Sequence, residues 1–336
     1  LYVCSDTFDM DGETRTRIGF IALLRLEEFG KDIHPHERTL SGPKVDRLNL
    51  VKATRTNLSQ IFGIFRDPEG TVQENLRRAA GEKPDADFVD EQGVRRRFTA
   101  TGDAGIIEAA TLGLRDRDII IADGHHRYET ALAYRQMMEP FRESDNEPFD
   151  YVSMYFSSVD DPGMLILPTH RKAGGMEGFS LDRFLRKLEG LFHVEYPIRA
   201  DLGEATRLMR DGMAETNVFA IYAGGAFGLI RLKNPDSPKR IDVEVLHEEI
   251  IERILGITRE DIAAERRLHF SKSAEHVIED VDRGKDQLGI LMNGIHPDEM
   301  FSRVAGGDRL PQKSTYFYPK TLSGLAMYRI TPESLG

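Results

Sequence analysis

The run Ile119-Ile120-Ile121-Ala122-Asp123-Gly124-His125-His126-Arg127 decides how this 336-residue chain is read. Four consecutive apolar residues predict a buried strand, and the next residues predict a helix over His125 to Met138, stopped by Glu139-Pro140. The strand delivers an acid to its end, and the glycine lets the backbone approach a ligand closely. A helix N-terminus offers free N–H groups and the positive end of the helix dipole, so such a junction attracts anions. Histidine and arginine side chains on the first turn add donors at the same place. Gly124, His125, His126 and Arg127 are therefore the expected phosphate-binding group. Asp123 beside them can take a proton from an attacking hydroxyl or hold magnesium. The alternative is that Asp123 caps the helix and both histidines are solvated.

Outward from this junction, Ser41-Gly42-Pro43-Lys44 predicts a helix start, with Ser41 as cap and proline in the first turn. The helix is expected to end before Asn57. At about 100° per residue, Lys44, Leu48, Val51 and Arg55 fall on one stripe, so cations bracket an apolar centre, with Arg47 on the flank. The basic ends, Lys44 and Arg55, are expected to reach a polar cleft; long side chains snorkelling past a core would give the same pattern. Two further basic stretches read as loops: Leu167 to Lys172, with His170 and Arg171, and Pro311 to Lys320, with Lys313 and Lys320. Either can face an anion or be ordinary solvated loop.

Strands are also expected at Tyr2-Val3-Cys4, Arg17 to Leu26, Ile61 to Phe65, near Phe88 and Arg97, and at Tyr151 to Val159. Helices are expected at Val72 to Ala80 and Ile106 to Leu112. The second half predicts a strand at Met164 to Leu167, a helix at Leu181 to Leu191 and a strand at Phe192 to Tyr196. A helix at Ala205 to Glu215 and a hairpin around Gly224-Gly225 follow, then an amphipathic helix at Val243 to Leu255 and strands near Ile290 and over Ala326 to Ile330. This is a mixed α/β (α+β) chain in two parts, 1–160 and 161–336, joined near Asp160-Asp161-Pro162.

Composition narrows the function classes. The 45 basic and 56 acidic residues give a net charge of −11, which argues against a partner with a phosphate backbone, so no nucleic acid is expected. No apolar run approaches the ~20 residues of a membrane span and no charged-then-apolar leader opens the sequence, so no membrane partner is expected. A single cysteine, Cys4, suits a reducing cytoplasm and reads as a small partly buried hydrophobe. The first residue is Leu1 and a strand opens at once, which suggests that a natural beginning, and part of the site, is missing. No Gly-Lys-Ser/Thr P-loop, strand-linked Gly-x-Gly-x-x-Gly or Gly-x-Ser-x-Gly elbow is present. His34, His36, His125 and His126 are potential transition-metal ligands, although the last two, being adjacent, point to different helix faces.

Asp123-Gly124-His125-His126-Arg127 resembles the phosphate-binding motif of the ParB/sulfiredoxin-like superfamily, in the form found in free-serine kinases. Ser41 to Lys44 with Asp46-Arg47, Thr54 to Ser59, Asp123 to Leu132, Pro168 to Arg171 and Gln312 to Lys320 together resemble domain-of-unknown-function family 1015, across nearly the whole chain. The resemblance implies a ParB/sulfiredoxin-like nucleotide-binding core with a second α/β domain. It also implies that residues 124–127 hold phosphates while Asp123 acts as base or positions a hydroxyl, with Lys44, Arg47, Arg55, Asn57, His170, Arg171, Lys313 and Lys320 as further substrate or phosphate contacts. ATP or ADP with Mg2+ would be used, and the acceptor would be a small molecule, foremost L-serine giving O-phosphoserine. Sulfiredoxin carries a cysteine in this loop and this chain does not, which disfavours sulfinic acid repair. The rival readings are a nucleotide-gated binding module and a metal-dependent hydrolase; self-association is left open.

Overall fold

The computed structural model describes residues 1–10, 12–37, 44–235, 240–311 and 313–331. They form two compact units. The first comprises 1–165, 296–309 and 317–336; the second comprises 166–295 and 310–316. The sequence reading gives everything after 160 to the second part, whereas two C-terminal segments return to the first.

In the first unit the strands are β1 (Tyr2–Met10), β2 (Glu13–Arg25), β3 (Ile33–Pro35), β4 (Thr56–Asn57), β5 (Ile61–Phe65), β6 (Ala86–Val89), β7 (Arg95–Ala100), β8 (Ile119–Asp123) and β9 (Tyr151–Ser158). The α-helices are α1 (Lys44–Thr54), α2 (Thr71–Ala80), α3 (Ala104–Leu114) and α4 (His125–Met138), with Pro297–Ala305 in the returning segment. Eight strands make one mixed sheet in the order β3-β8-β5-β9-β2-β1-β7-β6. β8 runs parallel to β3 and antiparallel to β5, with Ile120 opposite Ile64. Both β5 and β8 are covered on their two faces, which is why they read as unbroken apolar runs rather than alternating ones. The core joins Phe20, Phe65 and Phe156 to Ile61, Ile121 and Tyr128. Phe20 stacks on Phe156 at 5.2 Å between centroids and meets Phe65 edge-on at 6.2 Å. Each such buried ring contributes about 1.5–3 kcal/mol relative to an exposed one.

Fully buried Arg17 ties the C-terminal return to this sheet. Its Nη2 donates to Asp6 Oδ2 at 2.9 Å and to the Pro319 carbonyl at 2.7 Å, and its Nη1 to the Tyr318 carbonyl at 3.4 Å. The guanidinium also lies over the rings of Phe62 and Tyr155. Asp6 in turn holds buried Arg96 at 3.0 Å, and Arg96 holds Asp90 at 2.8 Å. Further along the return, Gln60 Nε2 donates to the Ala326 carbonyl at 2.6 Å, and Tyr328–Arg329 pairs with β4.

The second unit is built on a six-stranded antiparallel sheet, ordered Phe192–Ile198, Ala226–Leu232, Val218–Ala223, Leu288–Leu291, His170–Ala173 and Leu268–Ser271. Residues of helices Leu202–Gly212 and Ala274–Asp282 pack with the sheet in its core.

Several expectations are corrected. The stretch around His170-Arg171 is strand within this sheet, not a loop. The helix expected at Val243–Leu255 is α-helical only over Asp242–Val245 and continues as a π-helix over Leu246–Ile254. Leu268–Ser271, Ala274–Asp282, Pro297–Ala305 and Tyr316–Tyr318 are regular elements not read from the sequence. The Asp160-Asp161 joint is a bonded turn rather than a linker. Asp161 accepts from Ile18 N–H, Gln73 Nε2 and Gly163 N–H, and Asp160 from Asp67 N–H.

Candidate functional site

The junction of β8 and α4 has the expected form. Asp123 ends the strand half-exposed, and Gly124 follows with φ 94°, a left-handed conformation that glycine adopts without strain. A side chain there would also collide with the Arg127 guanidinium, whose atoms lie 2.8–3.0 Å from an ideal Cβ. Helix α4 starts at His125, and no side chain caps it. The capping alternative for Asp123 is therefore not what the structure shows. Asp123 faces two cations instead: Arg127 Nη2 and Lys320 Nζ are each 3.5 Å from its Oδ2. Lys320 reaches this point because Arg17 holds the two preceding carbonyls.

Arg127 folds back along its own helix. Its Nη1 donates to Ser59 Oγ at 3.0 Å and to the Gln60 carbonyl. Burial, opposed by Asp123 and reinforced by nearby Arg47, lowers its pKa below the ordinary arginine value. Desolvated and beside a second cation, it stands to gain from a bound anion.

The histidines are half-buried rather than solvated. The backbone N–H of His36 donates to His125 Nε2 at 3.2 Å, so His125 carries its proton on Nδ1. Burial first, and then His36, push the His125 pKa down to about 3. It is thus a neutral donor at physiological pH, not a cation. His36 is itself buried, with Nδ1 at 2.6 Å from the Ile121 carbonyl and Nε2 at 3.3 Å from Glu37 Oε1. His126 Nδ1 lies 3.4 Å from Glu129 Oε2.

On the flank, the single stripe expected for α1 is cut short. The helix ends at Thr54, and Arg55 has φ 47° with its N–H on the Val51 carbonyl, so its exposed side chain leaves the helical spacing. Leu48 and Val51 are half-buried and Arg47 is exposed. Asn57 Oδ1 accepts from Ser153 N–H at 3.0 Å, which fixes its carboxamide. The predicted cap at Ser41 to Pro43, Gln312 and the Lys44 side chain lie outside the described residues.

The other predicted residues fall in the second unit. Arg171 is fully buried. It donates to the carbonyls of Thr169 and Lys313, meets His247 Nε2 at 3.1 Å and covers the Phe270 ring at 4.7 Å. Its guanidinium organises the protein interior. Lys313 pairs with Glu265 and lies over Phe270. His170 Nδ1 accepts from Met292 N–H at 3.3 Å, and burial lowers its pKa to about 4. Burial likewise takes His247 down to about 3. The structure thus gathers Asp123 to Arg127, Arg47, Asn57 and Lys320 in the first unit, and His170, Arg171 and Lys313 in the second. Sequence reading missed Arg17, Gln60 and His247, and took Ser59 only as part of the run Thr54 to Ser59. It weighed His36 only as a metal ligand. Among the described residues no group of three His, Cys, Asp or Glu side chains is placed to hold a metal ion.

These histidines set a pH dependence. Each stays neutral in the folded chain below its ordinary pKa of 6.5, while the unfolded chain takes up a proton there. Their contribution is complete above about pH 6.5 and is lost as pH falls, by roughly 2 kcal/mol per histidine at pH 5. Denaturant melts of His125→Gln should therefore lose less stability than the native chain between pH 7 and 5. Equal loss would contradict the assignment of a neutral, desolvated His125.

Among the described residues no helix is long and apolar enough to cross a membrane. A search of curated proteins returns no match. Similar solved structures include a free serine kinase in complex with AMP, at 12% identity over 94% of this chain and 93% of that one, TM-score 0.46. Others are a conserved hypothetical protein from Pyrococcus furiosus (12%, 90% and 93%, 0.45) and SbnI with C-terminal truncation from Staphylococcus aureus (10%, 90% and 85%, 0.41). The family model described as Protein of unknown function (DUF1015) matches residues 1–254, and the chain belongs to that family.

Proposed function

We propose that the chain is a phosphotransferase with a ParB/sulfiredoxin-like nucleotide site, moving a phosphoryl group from ATP or ADP to the hydroxyl of a small acceptor, foremost L-serine. The observation that carries this is the uncapped N-terminus of α4, set behind a left-handed Gly124 and ringed by Asp123, His125, Arg127 and Lys320. The choice of serine rests on the motif resemblance alone.

In this reading the N–H groups of the first turn, the neutral Nδ1–H of His125 and the Arg127 guanidinium bind the phosphates. The acceptor oxygen bonds to the terminal phosphorus as the bond to the bridging oxygen breaks. ADP or AMP leaves with that oxygen, and Asp123 accepts the hydroxyl proton. Lys320 and Arg127 offset charge on the transferring group and keep the Asp123 carboxylate in place. The donor set fits magnesium only as a nucleotide-borne ion: such an ion takes one or two carboxylates plus phosphate oxygens, and Asp123 is the carboxylate at hand. When bound it would neutralise phosphate charge.

Incubation with Mg-ATP or Mg-ADP and L-serine, followed by 31P NMR, is expected to show O-phosphoserine growing with nucleotide consumption. Nucleotide binding with no acceptor-dependent turnover would instead favour the binding-module reading.

A further inference from the structure

Gln60 stands directly before the first residue of β5 and is only 1% exposed. Both its main chain and its side chain make bonds that bear on the site. Its main-chain carbonyl accepts from Arg127 Nη1, the same nitrogen that donates to Ser59 Oγ at 3.0 Å. Its side-chain Nε2 donates to the Ala326 carbonyl at 2.6 Å. An apolar side chain would fill such a place without needing a partner, whereas a buried carboxamide must be satisfied. The glutamine therefore calls for a reason.

We infer that Gln60 is a positioning residue for the phosphotransfer, setting both cations that face Asp123: Arg127 through its main chain and Lys320 through its side chain. The inference rests on the phosphotransferase reading and deepens it. Arg127 Nη2 and Lys320 Nζ lie at the same distance, 3.5 Å, from Asp123 Oδ2. Lys320 opens a stretch, residues 320–325, that belongs to no helix or strand. Ser323 and Gly324 are exposed, and a cavity of about 20 Å³ lies among Thr321, Leu322, Leu325, Gln60 and Tyr155. Side-chain packing thus leaves room under this stretch, and its course is set from its ends. Arg17 holds the carbonyls of Tyr318 and Pro319 before Lys320, and Gln60 holds that of Ala326 beyond it. A chain anchored at one end keeps the φ and ψ freedom of Lys320 itself, and a second anchor removes it. Tyr328 is bonded to the Pro148 carbonyl and paired with β4, so the rest of the return stays in place when the Gln60 bond is absent.

The test is Gln60→Leu in the whole chain, which keeps the main-chain carbonyl under Arg127 and removes only the donor to Ala326. Hydrogen exchange read by mass spectrometry is expected to quicken about tenfold over residues 321–327 and to stay unchanged over α4. With Mg-ATP or Mg-ADP and L-serine, kcat should fall about tenfold, the scale of a misplaced group, while ADP affinity stays within about twofold. Lys320→Ala alone should lower kcat by about 10²-fold, and adding Gln60→Leu to it should lower kcat no further. A glutamine that served only stability would give additive losses. Unchanged exchange over 321–327, an unchanged kcat, or additive losses in the double variant would overturn the inference and leave the phosphotransferase reading standing. A native chain with no turnover would overturn that reading, and the positioning role with it, whatever the exchange rates.

Discussion

Asp123→Asn is expected to lower acceptor-dependent phosphotransfer by roughly 10²–10⁴-fold, the range typical of a lost general base. Binding of magnesium-free ADP should hold or tighten, because the substitution removes a negative charge beside the proposed phosphate site. The two effects have opposite signs, and that separates a chemical role from a structural one. Asp123 is half-exposed, caps nothing, and meets Lys320 and Arg127 only at 3.5 Å. Loss of its charge should therefore cost little stability, within about 1 kcal/mol for exposed ion pairs. Steady-state rates set beside ADP titrations check this directly. A variant that turns over normally would remove Asp123 from the mechanism.

The largest effect on stability is expected at Arg17. Removing one partner of a buried ion pair leaves the other charged and desolvated, a loss of about 3–5 kcal/mol. Here Arg17→Met would leave Asp6 with only one of its two buried cations, Arg96, and would release the carbonyls of Tyr318 and Pro319. Methionine keeps much of the apolar stem, so the loss reports on the guanidinium, including its place over Phe62 and Tyr155. Because residues 318–319 precede Lys320, the variant should also lose turnover at temperatures where it is still folded. Arg17→Lys should recover part of the stability but not both carbonyl bonds. Denaturant midpoints and rates measured on the same samples test the pair. A midpoint unchanged by Arg17→Met would show that the buried network is dispensable.

Much of the first unit was legible because its strongest signals are local. An apolar run of four ending in Asp-Gly can hardly be other than a buried strand meeting a turn, and the structure puts β8, Gly124 and α4 where that logic does. The misreadings arise where tertiary context decides. His170-Arg171-Lys172 looks like solvated loop, yet it is a strand whose arginine meets a carbonyl, an imidazole and an aromatic face from residues 75 or more positions away. Nothing local announces those partners. Arg55 has the spacing of α1 but adopts a left-handed conformation that ends the helix, and propensity does not reveal it. Arg17 was invisible for the same reason: its meaning comes from Asp6 on the neighbouring strand and from carbonyls some 300 residues later. His36 carried a weak signal, in the His-Pro-His-Glu run after β3 begins, but its role in fixing the His125 tautomer needs the parallel pairing of β3 with β8.

The account stands or falls on where the phosphates go. A crystal structure of the chain with ADP and magnesium should show phosphate oxygens on the N–H groups of His125 and His126 and on the Arg127 guanidinium, with Asp123 facing the terminal phosphorus. Phosphates bound elsewhere, with the α4 N-terminus left to water at saturating ADP, would contradict it.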